Sequence, residues 1–145
     1  MLDEITFRPA TEGDVAIIKQ MIWSEKLDIS SLKWQNFRVA EHDGQIVSIG
    51  QVKRYPNVNE LGSLVTLPEY RGKAIAGAII TQLEEEVGFP LYLLCESKIE
   101  AYYNRFSSRT ISWLDAPALL KFKTSFAMPF RLFGIRVLIM QKLGD

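Results

Sequence analysis

The sequence from residue 64 to residue 78 reads LVTLPEYRGKAIAGA, and this stretch decides the fold. Its apolar start predicts a strand, Pro68 closes that strand, and the small residues that follow predict the start of a helix. The first amides of a helix have no intrahelical acceptor, and the helix dipole adds partial positive charge beside them. Arg71 and Lys73 add full charges, and Gly72 leaves little side chain in the way. The stretch is compatible with a pyrophosphate-binding loop, or with a helix start that only packs small residues against a sheet.

The elements on the N-terminal side follow from local patterns. Apolar and β-branched residues predict strands over residues 5–8, 37–41, 45–52 and 60–66. Thr11 and Asp14 have the spacing of a capping box, and apolar residues at helical spacing follow them. A second short helix is predicted over residues 30–36. His42-Asp43-Gly44 predicts a hairpin turn, because Asp-Gly tolerates the positive φ of tight turns.

On the C-terminal side, residues 74–87 predict a helix with one apolar face, ended by Gly88. The apolar run 91–95 predicts a strand that is buried on both faces. Ser97 and Glu100 have the spacing of a second capping box, which would open a helix through Phe106. The last strands are predicted over residues 109–114 and 136–141, whereas residues 115–134 give no clear assignment.

The element order mixes hairpins with one strand-helix-strand unit, which predicts an α/β (α+β) fold with a central mixed sheet flanked by helices. The 145 residues fit one domain, so we expect a single domain over residues 1–145. Lysine plus arginine and aspartate plus glutamate number 17 each, so no global charge favours nucleic acid. No apolar stretch is long enough to span a bilayer.

Single cysteine and histidine residues exclude a disulfide within the chain and a histidine-rich metal site. We therefore expect no metal, and a single cysteine is compatible with the cytoplasm. Cys95 is expected to be buried at a strand end rather than to act as a nucleophile. His42 is expected to be an exposed turn residue.

Residues 68–76, PEYRGKAIA, resemble the acetyl-CoA signature of the GNAT family of acetyltransferases. Arg71 and Ala76 match the family pattern, whereas Ala74 stands where the family usually has glycine. Residues 101–106, AYYNRF, are similar to the family's second motif, with Tyr103 at the tyrosine position and Ser107-Ser108 in place of Gly-Phe. The element order also fits, so the resemblance covers nearly the whole chain.

The resemblance implies a mostly antiparallel sheet that splays at the acetyl-CoA site. It implies that backbone groups of Leu64, Val65 and Thr66 face the pantetheine arm and the acetyl carbonyl. It also implies that the pyrophosphate lies on the loop and first helical turn, formed by Arg71, Gly72, Lys73, Ala74, Ile75, Ala76 and Gly77. Acetyl-CoA is the implied co-substrate.

Two further residues gain an implied catalytic role. Tyr103 would protonate the departing thiolate, although it could also be an aromatic residue packed on a helix face. Glu60 matches the position of a general base in some family members, although it could be an ordinary carboxylate near a strand end. Glu96 or a chain of waters is the next candidate for the base.

The implied function is direct transfer of acetyl to an amine of a small molecule or a protein. A non-catalytic acyl-CoA-binding module, suggested by Ala74 and Ser107-Ser108, and a structural interaction domain remain alternatives. The apolar segment 126–133 could line an acceptor pocket, cover the sheet or form a homodimer contact.

Overall fold

The computed structural model describes residues 2–25, 27, 32–125 and 136–144. Within these ranges the α-helices are α1 (Val15–Ser24), α2 (Ile75–Val87), α3 (Glu100–Asn104) and α4 (Ala118–Ser125). The strands are β1 (Thr6–Pro9), β2 (Phe37–His42), β3 (Gln45–Tyr55), β4 (Val58–Thr66), β5 (Leu91–Glu96), β6 (Arg109–Thr110) and β7 (Val137–Lys142). The chain divides into two compact units, Met1–Arg54 with Leu61–Val87, and Tyr55–Glu60 with Gly88–Asp145.

The sheet of the first unit has the strand order β1-β2-β3-β4. β1 pairs antiparallel with β2, from Thr6 opposite Glu41 to Pro9 opposite Arg38. β2 pairs antiparallel with β3, and His42 lies opposite Gln45 at the end of the hairpin. The turn between them has positive φ at both central residues, 50° at Asp43 and 78° at Gly44. The Asp-Gly hairpin is therefore confirmed.

α1 begins with the predicted capping box. The amide of Thr11 donates to Asp14 Oδ2 at 2.7 Å, and Arg8 donates to both oxygens of that carboxylate, at 2.7 and 3.0 Å. The hydrogen bonds from Arg8 are the largest influence on the carboxyl, and they lower the pKa of Asp14 to about 2 despite its burial. The predicted apolar face is buried with core residues of the sheet, at Ile18, Met21 and Ile22.

α2 packs its apolar face, Ile75, Ile79, Ile80 and Leu83, into the first unit. It approaches β3 closely at Gly50, where an added Cβ would lie 2.7 Å from Leu64 Cδ2 and 2.9 Å from Ile79 Cγ2. Glycine is therefore required there by space. The helix ends at Gly88 with φ 75°, as the sequence predicts.

The second unit contains the strand order β5-β7-β6, with antiparallel pairing throughout. Its core is a cluster of Val58, Ala116, Leu120 and Ile139. β5 alternates between buried and half-buried residues, and the half-buried Tyr92 and Leu94 pack against this core cluster, so both faces of the strand are covered, one of them more completely. Cys95 is buried on the fully covered face, as expected.

Several local predictions are corrected. The capping box at Ser97 and Glu100 does not form, because the Ser97 amide donates to the Arg136 carbonyl at 2.8 Å, while the Glu100 carboxylate accepts a hydrogen bond from Thr110. α3 ends at Asn104, and Ser107 has φ 65° in the turn that follows. β6 is two residues long and is followed by a 3-10 turn, and α4 lies in the region without an assignment.

Of the predicted helix over residues 30–36, residues 34–36 form a 3-10 turn and residues 30–31 lie outside the described residues. The apolar segment 126–133 also lies outside them. The predicted fold class is confirmed, since the chain has a mixed α/β fold with mostly antiparallel strands and flanking helices. In the described part of the chain, no helix combines the length and apolar character that crossing a membrane requires.

Candidate functional site

The turn between β4 and α2 places residues 71–76 at a helix start, as predicted. β4 ends at Thr66, a 3-10 turn spans Pro68–Tyr70, and α2 begins at Ile75. The amide of Ala78 donates to the Ala74 carbonyl at 3.2 Å. The amides of residues 75–77 precede this bond, so they have no intrahelical acceptor. These amides and the dipole of a 13-residue helix form a positive end that suits an anion.

The backbone of this turn is left-handed at two residues, Gly72 with φ 74° and Ala74 with φ 65°. An alanine in this conformation costs about 1–2 kcal/mol relative to the right-handed region. The departure from the family pattern at Ala74 therefore falls on a backbone position that favours glycine. Its side chain is exposed, and so is that of Lys73.

Arg71 connects the turn to the end of β4 and to the residue after α1. Its Nε donates to the Thr66 carbonyl at 3.2 Å, and its Nη2 donates to Glu25 Oε1 at 2.8 Å. The side chain is about half exposed, at 54%. Arg71 therefore holds the turn against these two elements and keeps part of its charge open to solvent.

The end of β4 has an irregular backbone. Within this continuous strand, Ser63 has φ 50°, outside the extended region, and Glu60 and Leu61 are both buried in succession. The side chains from Glu60 to Thr66 therefore do not alternate regularly between buried and half-buried positions. The Ser48 hydroxyl donates to the Val65 carbonyl at 3.2 Å and lies 2.8 Å from Thr66 Oγ1, so two polar groups of this strand end already have partners.

Glu60 forms a buried ion pair that sequence reasoning missed. Its side chain is 5% exposed, and Lys123 Nζ donates to its two oxygens at 2.7 and 2.9 Å. Burial is the largest influence on the pKa of Lys123 and lowers it, but the hydrogen bond and charge of Glu60, with Tyr55, raise it above its ordinary value overall. Lys123 lies on α4, within the stretch that gave no assignment, so no local pattern pointed to this pair.

Tyr103 lies on α3, in the same unit as Glu60. Its ring meets that of Tyr102 edge to face, with the centroids 5.1 Å apart. Burial of the phenol, followed by Tyr102 and Cys95, raises the pKa of Tyr103. The group therefore stays protonated well beyond neutral pH.

The sequence also makes predictions for Cys95, expected to be buried, and for His42, expected to be an exposed turn residue. Burial, with Glu100 and Glu96, raises the pKa of the Cys95 thiol to about 11, so the reactive thiolate is scarce at neutral pH. His42 is not an exposed turn residue, because 21% of its side chain is exposed and its Nδ1 lies 2.7 Å from the Tyr70 hydroxyl.

The chain is therefore a mixed α/β protein with a strand-turn-helix loop that suits an anion. Comparison with known proteins gives its family. The model of the acetyltransferase (GNAT) domain matches residues 33–107, which is more than half of the chain. The chain therefore belongs to the GNAT acetyltransferase family. No curated protein sequence matches it.

Solved structures share the fold. N-acetylglutamate synthase from Neisseria gonorrhoeae, complexed with coenzyme A and L-arginine, is 17% identical with a TM-score of 0.74. This alignment covers 96% of the chain but 33% of the synthase, so the chain spans about a third of that protein's length. A Mycobacterium tuberculosis protein in complex with CoA and NLQ is 18% identical with a TM-score of 0.75, over 97% of the chain and 99% of that protein.

Proposed function

We propose that the chain is an acetyl-CoA-dependent N-acetyltransferase, which transfers acetyl to an amine of a small molecule or a protein. The observation that carries this proposal is the start of α2, where amides without intrahelical acceptors lie beside Arg71 and Lys73. Membership of the GNAT family supports it. The coenzyme A bound in the two solved relatives supports the choice of ligand.

In this proposal the pyrophosphate lies on the backbone amides of residues 72–77. Two positive φ values turn the backbone at this loop, and the hydrogen bonds of Arg71 hold the loop against the end of β4. Backbone groups of residues 64–66 would face the pantetheine arm. The Val65 carbonyl already accepts from Ser48, so its second lone pair or a neighbouring backbone group would serve the ligand.

The thioester supplies the acetyl group, and the chain supplies groups that hold protons. Tyr103 keeps its proton because burial raises the pKa of the phenol, so it can hydrogen-bond the sulfur as the C–S bond breaks. The acceptor amine must lose a proton before it attacks. Glu60 would take this proton, directly or through a water.

The ion pair sets a condition on this role of Glu60. Both of its oxygens already accept from Lys123 Nζ, so an amine or a water must share the carboxylate with that ammonium group. The base would therefore work on the lone pairs that Lys123 leaves open. Glu60→Gln should flatten the acidic limb of the pH profile of kcat/KM, and an unchanged limb would move the role to Glu96 or to water.

Turnover and binding are the two measurements that test the function. Calorimetry with coenzyme A tests binding, and release of free thiol from acetyl-CoA, measured over a panel of amines, tests transfer. Gly72→Glu should weaken coenzyme A binding, because it adds bulk and negative charge at the loop. Gly88→Glu is the matched control, since both glycines have positive φ, 74° and 75°, and no atom of the described residues lies within 4 Å of an added Cβ at either position. Equal affinities of these two variants would contradict the site.

A non-catalytic acyl-CoA-binding module is the second candidate function. The left-handed alanine at position 74 favours it, because the strained residue lies within the ligand loop. Such a module would bind coenzyme A in the calorimeter and would release no thiol with any amine. Transfer to any amine of the panel excludes it.

A further inference from the structure

His42 and Tyr70 connect the β2–β3 hairpin to the loop that precedes α2. His42 is the last residue of β2, and its Nδ1 lies 2.7 Å from the Tyr70 hydroxyl. The two rings also meet edge to face, with centroids 5.5 Å apart and planes at 69°. Tyr70 ends the 3-10 turn, directly before Arg71. The end of the β2–β3 hairpin therefore contacts the loop that precedes α2.

The loop is held at three places. At its start, the amide of Leu67 donates to the Val47 carbonyl at 2.9 Å. In its middle, Tyr70 meets His42, and immediately afterwards Arg71 donates back to the Thr66 carbonyl. A left-handed alanine persists only where surrounding contacts over-determine the backbone, and these anchors provide such contacts.

We infer that His42 is a positioning residue of this loop, acting through Tyr70. The identity of the ligand as coenzyme A rests on the proposed function, whereas the ordering of the loop by His42 does not depend on it. A loop that is already ordered loses less conformational entropy when it binds a ligand. His42 therefore strengthens binding at the loop without touching the reacting atoms.

The carboxylates beside His42 offer a control. Its Nε2 lies 3.7 Å from Glu4 Oε2 and 3.7 Å from Asp43 Oδ2, and both of these side chains are largely exposed. Asp43→Asn removes one charge, keeps the Tyr70 contact and suits the positive φ of the turn. It should leave coenzyme A affinity and loop exchange as they are in the wild type.

The test compares His42→Ala, Tyr70→Phe and His42→Asn in the full chain. Each of the first two should weaken coenzyme A binding about 3- to 10-fold, as expected for the loss of one hydrogen bond. The side-chain amide of His42→Asn lies one bond beyond Cγ, as Nδ1 does in histidine, so this variant can still bond Tyr70 and should recover most of the affinity. The KM for acetyl-CoA should rise while kcat at saturation stays close to the wild-type value, a split that general destabilisation would not produce.

Hydrogen exchange of the backbone amides of Leu67, Tyr70 and Arg71, without ligand, measures the ordering of the loop, because these amides donate to the carbonyls of Val47, Leu67 and Pro68. Exchange should be faster in His42→Ala and Tyr70→Phe than in the wild type. Unchanged exchange in Tyr70→Phe, whose ring keeps its place, overturns the inference even if His42→Ala fails to fold. A wild type that binds no coenzyme A refutes the proposed function, and the exchange rates then still decide the positioning role.

Discussion

Replacing Lys123 by methionine should lower the free energy of unfolding by about 2–3 kcal/mol at neutral pH. Methionine keeps an apolar stem of similar length, but it removes the ammonium group that lies 2.7 Å from one oxygen of Glu60 and 2.9 Å from the other. The Glu60 side chain is 5% exposed, so a buried charge would lose this partner. Breaking a fully buried pair costs about 3–5 kcal/mol, and we reduce this figure because 27% of the Lys123 side chain reaches solvent.

Urea unfolding followed by circular dichroism measures this change, with the midpoint lowered and the slope unchanged. The double variant Glu60→Gln with Lys123→Met should recover a large part of the loss, since it removes the charge of Glu60 together with the charge of Lys123. Lys121→Met is the matched control on the same helix. Lys121 lies over the Trp113 ring, with its Nζ 5.6 Å from the ring centroid. Because a surface contact of this kind is worth about 0.5–1 kcal/mol, this variant should lose no more than that. A Lys123→Met protein within about 0.5 kcal/mol of the wild type would refute the reasoning, since surface substitutions have effects of that size.

Three further outcomes are expected. Asp14→Asn should cost about 2 kcal/mol at pH 7, because the lowered pKa of this carboxyl stabilises the folded state. The difference is present above the unfolded pKa near ~4 and lost as pH falls toward 2, and urea unfolding across this range checks it. Gly50→Ala should cost about 1–3 kcal/mol by crowding two side chains. Gly62→Ala should not, since no atom of the described residues lies within 4 Å of its added Cβ, and equal midpoints for the two variants would count against the close packing. Tyr103→Phe should lower kcat about 10²-fold with unchanged coenzyme A affinity, and full turnover in this variant would assign the acid to another group. Because the pKa of Tyr103 is raised, turnover of the wild type should show no fall near pH 10 from this tyrosine.

Local patterns predicted the parts of the fold that depend on neighbouring residues. The capping box at Thr11 formed because a carboxylate three residues away can reach the cap amide, and the Asp43-Gly44 turn formed because both residues tolerate positive φ. The second predicted capping box, at Ser97 and Glu100, did not form. The Ser97 amide that the box would have used donates instead to the carbonyl of Arg136, a residue from a distant part of the sequence.

In the candidate site, too, some features follow from local sequence and others depend on contacts between distant residues. The sequence by itself determined the strand, the turn and the helix start over residues 64–78, since charge, small side chains and helix capping are local properties. Only the tertiary structure decided the partners of Glu60 and His42, because Lys123 lies 63 residues away and Tyr70 lies 28 residues away along the chain. Contacts of this kind depend on the path of the whole backbone, which brings distant side chains together after the local elements have formed.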